Sequence, residues 1–154
     1  MSSLSIKFDP PIDPAAGPVT QDWINSIGWT SFVDSGRPEP KYKVRFHIDD
    51  QWLEYSPESL GSVLHDLVLI QDCLRREPEG LQIIEGEDIL MARRLGDIVQ
   101  FAEPVEWQRS PKEMPEDLQV YPVGDPIAWE AVDLAFREAI AAAWRQFELS
   151  SNLH

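Results

Sequence analysis

The sequence predicts an α+β domain, in which a mostly antiparallel sheet is covered on one face by two amphipathic helices. Residues 41–55 alternate charged and apolar side chains, turn, and run back, which is typical of a β-hairpin. Residues 81–101 contain short apolar runs separated by turn residues and predict a strand meander. Residues 57–76 and 126–149 repeat apolar side chains with the helical period, and therefore predict the two helices.

Length and composition indicate one domain over residues 1–154, with a proline-rich region at 1–40 that packs on it or extends from it. The hydrophobic fraction of 43% argues against a disordered chain. The N-terminus lacks the features of a secretion signal, and no apolar run is long enough to cross a bilayer, so we expect a cytoplasmic protein. Cys73 is the single cysteine, which excludes an intramolecular disulfide and a cysteine-based zinc site.

The N-terminal quarter predicts two short elements. Residues 4–8 alternate apolar and polar side chains and indicate a first strand. Thr20 is a suitable N-cap for a short helix that ends near Ile27. Trp23, Trp29 and Phe32 are large enough to pack this region over the sheet, and a partner-facing arm is the alternative.

The first long helix is predicted to begin at Ser56-Pro57, with serine as the N-cap and proline at the first helical position. Arg75 and Arg76 suit its C-terminus. Leu69 falls on the polar face, either as a scattered surface leucine or as a binding anchor. The predicted core face consists of Leu60, Val63, Leu64, Leu67, Val68, Ile70 and Leu74.

The second half predicts the meander, then a long acidic and proline-rich connection over residues 102–124, with a possible edge strand at 118–121. Asp125-Pro126 repeats the pattern of a cap followed by proline and predicts the start of the last helix, which runs to about Leu149.

The chain contains no phosphate-binding glycine loop, no nucleophile elbow and no zinc-helix motif. His65 and Asp72 are two helical turns apart and could meet only around a ligand. Cys73 lies beside an acidic residue, which favours an inert thiol. We therefore predict no catalytic residue, no metal site and no cofactor.

The formal net charge of −14 disfavours nucleic acid as a partner and favours a basic protein. Basic residues concentrate around the first hairpin strand, at Arg37, Lys41, Lys43 and Arg45. The acidic stretches predict the partner-binding surface, although a solvated face is the alternative. The candidate binding residues are Glu77, Glu79, Glu85, Glu87, Asp88, Glu113, Glu116 and Asp117.

The hairpin 41–55, the helix opening at 56–60, the meander closing at 95–101 and the late helix at Pro126 together resemble the immunity proteins of bacterial polymorphic-toxin systems. This resemblance implies a stoichiometric binder that blocks a toxin, often a basic nuclease, and that carries no catalytic residue.

Three functions are consistent with these patterns. The first is a non-enzymatic immunity or inhibitor protein that neutralises a basic partner by occlusion. The second is an enzyme or small-molecule-binding domain with a pocket between sheet and helices. The third is a structural adaptor subunit, for which self-association without a partner would be the sign.

Overall fold

A computed structural model describes residues 3–13, 17, 19–27, 40–76, 81–84, 90–104 and 120–152. The first half contains β1 (Leu4–Asp9), α1 (Gln21–Ser26), β2 (Tyr42–Ile48), β3 (Gln51–Glu58) and α2 (Leu60–Arg76). The second half contains β4 (Leu81–Ile84), β5 (Leu90–Leu95), β6 (Ile98–Pro104), β7 (Val120–Ala128) and α3 (Trp129–Asn152).

The predicted α+β fold is confirmed, and every pair of neighbouring strands is antiparallel. The strands divide into two sheets, with the orders β1-β2-β3 and β4-β5-β6-β7. The two long helices pack on each other, α3 also contacts β1, and α2 contacts β4. Among the described residues, no helix combines the length and apolarity that a bilayer crossing requires.

The predicted periodicities place the core correctly. In β2, the four apolar residues are buried and the three charged or imidazole side chains between them are not, as alternation requires. Phe46 of β2 meets Phe136 of α3, with ring centroids 6.0 Å apart. All seven residues of the predicted α2 core face are buried, and Leu69 is exposed.

Both predicted starts of the long helices are wrong. Ser56-Pro57 lies within β3, and Asp125-Pro126 lies within β7. Each strand is at a sheet edge and carries an irregular register beside its proline, so the missing N–H need not interrupt the ladder. The helix α2 instead begins at Leu60, directly after Ser59, whose carbonyl accepts from the Val63 N–H at 3.0 Å. The helix α3 begins at Trp129.

The predicted cap of α1 is confirmed, since the Thr20 hydroxyl accepts from the Trp23 N–H at 3.2 Å. The fully buried Gln71 of α2 then ties α1 to the long helices. Its side-chain amide donates to Gln21 of α1 and to Asp133 of α3, both at 2.8 Å. This part of the N-terminal region therefore packs on the helices, while Trp29 and Phe32 lie outside the described residues.

The two sheets meet where β7 bulges toward the end of β2. Gly124 has a φ of +68°, and a Cβ atom there would overlap the side chain of Ile48. The Gln100 side-chain amide donates to the carbonyls of Phe101 at 2.7 Å and Gly124 at 3.2 Å, which holds the bulge in shape. Glycine is thus required at 124 for both conformation and space.

Gly96 has a φ of +64° and open space around it, so it shares the backbone requirement of Gly124 but not the steric one. Alanine substitutions at the two glycines therefore separate the two requirements. We expect Gly96→Ala to lower the free energy of unfolding by about 1 kcal/mol, the cost of a left-handed alanine. Gly124→Ala should lower it by about 3 kcal/mol, because overpacking adds to that cost. Urea denaturation measures both, and equal losses would show that β7 does not closely approach Ile48.

Candidate functional site

The eight acidic residues predicted to bind a partner lie outside the described residues, so that prediction is neither confirmed nor corrected. They are Glu77, Glu79, Glu85, Glu87, Asp88, Glu113, Glu116 and Asp117. The basic strand region is described in part. Lys43 and Arg45 lie on the outer face of β2, and both approach Glu54 of β3, at 3.8 and 2.7 Å.

The pair of His65 and Asp72 considered from the sequence does not assemble directly. Asp72 accepts hydrogen bonds from Arg75 at 2.8 Å and from Arg76 at 3.0 Å. His65 instead lies beside Asp66, with Nδ1 and Oδ1 3.5 Å apart. Within the described ranges, no three His, Cys, Asp or Glu side chains gather closely enough to hold a metal ion.

A carboxylate pair joins the end of β3 to α2. Burial, and then the neighbouring Asp66 carboxylate, raise the pKa of Glu58 above its ordinary value of 4.5. Lys41 acts in the opposite direction. Neither Glu58 nor Asp66 lines the cavity described below, so we assign this pair to the junction between strand and helix.

The exposed large apolar side chains point to a different site. Trp52 is 60% exposed, and it is the one aromatic side chain among the large exposed apolar residues in the described part of the chain. The others are Leu69, Leu95, Ile98, Leu134 and Leu149. An exposed tryptophan is informative because its large apolar surface is usually buried.

Trp52 is positioned by the β2–β3 hairpin. The turn Asp49-Asp50 pairs Ile48 with Gln51, so His47 and Trp52 face each other across the strands. Their rings stack, with centroids 6.1 Å apart and planes inclined by 30°. The imidazole therefore supports one side of the exposed indole.

A cavity of about 310 Å³ lies beside the indole at the seam between the sheets. Its lining residues are Asp50, Gln51, Trp52, Leu53 and Val123. Four of them come from the hairpin and Val123 comes from β7, which the close approach of Gly124 to Ile48 places there. Asp50 is the acidic residue of the lining, and Asp49, which precedes it in the turn, is exposed as well.

Electrostatics keep the imidazole neutral. Partial burial, followed by the charges of Lys7 and Arg45, lowers the pKa of His47 below its ordinary value of 6.5. The hydrogen bond from Arg45 lowers the pKa of Glu54, so Glu54 stays ionised. At neutral pH the site thus combines an uncharged aromatic stack with the carboxylate of Asp50 in the cavity lining, while Lys7 and Arg45 lie on the side of His47.

The position of Trp52 could have been found from the sequence. A two-residue turn after Ile48 fixes the pairing of residue 52 with His47, and alternation along β2 puts His47 on the face opposite the buried apolar residues. The contribution of Val123 carries no such signal, because it depends on the packing of the second sheet against the first.

Comparison with known proteins adds no relative: no protein-family model, no curated protein and no solved structure matches this chain. The proposed function therefore depends on the charge and patterns of the sequence and on the geometry of the site.

The lowered pKa of His47 predicts a pH dependence of stability. The unfolded chain binds a proton at His47 more readily than the folded one, so the folded protein loses stability as pH falls below about 6.5. His47→Gln should remove this loss of stability. The free energy of unfolding of the variant should therefore rise relative to that of the wild type as the pH falls from 7 to 5. Urea denaturation across that range measures the difference.

A second variant tests the cause of the shift. Lys7→Gln removes one of the charges that lower the pKa of His47. The stability that the protein loses between pH 7 and pH 5 should therefore be smaller than in the wild type. Parallel stability curves for the wild type and His47→Gln would contradict the predicted pKa shift.

Proposed function

We propose that this chain is a non-enzymatic protein-binding module that neutralises a basic partner, such as a bacterial toxin, by occluding it. The observation that supports this proposal is Trp52, a largely exposed indole beside a cavity whose lining includes the carboxylate of Asp50. Tryptophan is enriched among the few residues that supply most of the binding energy of protein interfaces. The β2–β3 hairpin positions the indole of Trp52 by stacking it on His47.

The charge of the site sets the kind of partner. The chain carries a net charge of −14, which accelerates encounter with a basic protein and repels an acidic one. At the site, a lysine or arginine of the partner can lie against the free side of the Trp52 ring while Asp50 pairs with its charge. The chain contains a contact of this kind already, with the Arg94 guanidinium 4.2 Å from the centroid of Trp129.

Two separate effects then act on the complex. Long-range attraction raises the association rate and weakens with added salt, since the Debye length falls from about 10 Å at 0.1 M to about 3 Å at 1 M. Burial of Trp52 slows dissociation and is far less sensitive to salt. The resemblance to immunity proteins supports occlusion as the result, because a stoichiometric binder needs no chemistry of its own.

The proposal predicts that Trp52→Ala weakens partner binding by about 30-fold, the loss of about 2 kcal/mol that defines a hot-spot residue. Leu95→Ala is the matched control, because Leu95 is 52% exposed on the β5–β6 hairpin, away from the site. Asp50→Asn should mainly slow association and reduce its dependence on salt.

The measurement begins with capture of the partner by the tagged wild type from lysate of its source, at low and high salt. We expect one basic protein at a one-to-one ratio, whose activity the wild type inhibits and Trp52→Ala inhibits poorly. Recovery of no partner, or equal inhibition by Trp52→Ala and Leu95→Ala, would overturn the assignment of this site.

A further inference from the structure

The outer face of the first sheet carries two neighbouring rows of polar side chains across β1 and β2. Ser5 of β1 lies opposite His47 of β2, and Lys7 lies opposite Arg45. Ser5 and Lys7 are exposed and the other two are half-buried, whereas the residues between them face the core. These four side chains, the β1–β2 array, span about 5 Å across the strands and about 7 Å along them.

Two cations of the array stand directly opposite each other. Like charges in this position destabilise a pair of strands. Arg45 is compensated, because its Nε lies 2.7 Å from a carboxylate oxygen of Glu54 on β3. Lys7 is not, since the ion pairs of the described residues leave it out. An edge lysine can guard β1 against the addition of a strand, but that role does not require a second cation opposite it.

The charge of this face is positive, although the chain as a whole carries −14. Beside Lys7 and Arg45, the face holds Lys43, which lies 3.8 Å from Glu54 and pairs across the strands with Asp9. Three cations thus accompany two carboxylates, which leaves one positive charge in excess. The excess is local, and it lies at the array.

The imidazole of His47 reports the same field. Burial lowers its pKa, and the charges of Lys7 and Arg45 then lower it further. The electrostatic potential at the array is therefore positive, even though Asp49 and Asp50 follow in the hairpin turn. An anion placed between the two rows would offset both cations.

We propose that the β1–β2 array binds a phosphate group on the outer face of the sheet. A phosphate group carries a charge of about −1.5 to −2 near pH 7 and offers strong acceptor oxygens. Charge-assisted hydrogen bonds to such oxygens are stronger than those between neutral groups. The donors are the Lys7 ammonium, the η N–H groups of Arg45, the Ser5 hydroxyl and one imidazole N–H of His47.

A carboxylate fits the array less well, because it has a single charge and only two oxygens for these donors. The phosphate group itself could be free or carried by a small molecule. Trp52 separates these two sources, since its ring stacks on His47 beside the array and is 60% exposed. A phosphate ester of a planar ring could stack on the indole, whereas free phosphate could not. This inference does not depend on the proposed function.

NMR of the histidine side chains in the full chain tests the phosphate site. The chain has three histidines, and His47→Gln assigns the signal of His47. Inorganic phosphate is added at pH 7.5 and constant ionic strength, with chloride as the reference. We expect a saturable shift of the His47 signal and no shift of His65, which lies on α2. Acetate should bind about tenfold more weakly, since it lacks the second charge and the further oxygens.

Lys7→Gln should weaken phosphate binding about tenfold, because it removes one charge-assisted hydrogen bond. Arg93→Gln is the matched control: it removes the same charge from an exposed position on β5, in the other sheet, and should change the affinity by less than about twofold. Circular dichroism checks that both variants are folded. Absence of a saturable shift, equal binding of acetate, or equal losses in the two variants would overturn the inference.

Phenyl phosphate distinguishes the two sources of the phosphate group. Tighter binding than that of inorganic phosphate, with the gain removed by Trp52→Ala, identifies an ester whose ring reaches the indole. Equal affinity identifies free phosphate, and both results support the β1–β2 array as the site. A failure of phosphate to bind leaves the proposed partner binding at Trp52 unaffected.

Discussion

The close approach of Gly124 to Ile48 is the constraint on which the arrangement of the two sheets depends. It allows the bulge of β7 to lie against the end of β2, where any side chain at 124 would hold the strands apart. The same approach brings Val123 next to the hairpin turn and so closes one wall of the cavity beside Trp52. One missing Cβ atom thus links the packing of the sheets to the shape of the candidate site.

Periodic features of the fold could be predicted from the sequence, because they depend on neighbours along the chain. The alternation of β2 and the buried face of α2 are of this kind. The helix starts were wrong because serine or aspartate followed by proline is a local signal, whereas β3 and β7 continue by pairing with β2 and β6. Gln71 illustrates the same limit: its burial requires Gln21 and Asp133, which only the tertiary fold brings to it.

Some features of the candidate site could likewise be predicted from the sequence, whereas others depend on the tertiary fold. Residue 52 is assigned to the charged face by the two-residue turn alone, so its exposure followed from local pairing. The support from His47, whose pKa is lowered by burial and by two cations, requires the neighbouring strands. The acidic residues predicted to bind a partner lie outside the described residues, so that part of the prediction remains untested. The two bases for a binding site also differ physically, since charge acts over distance and an anchor such as Trp52 acts by contact.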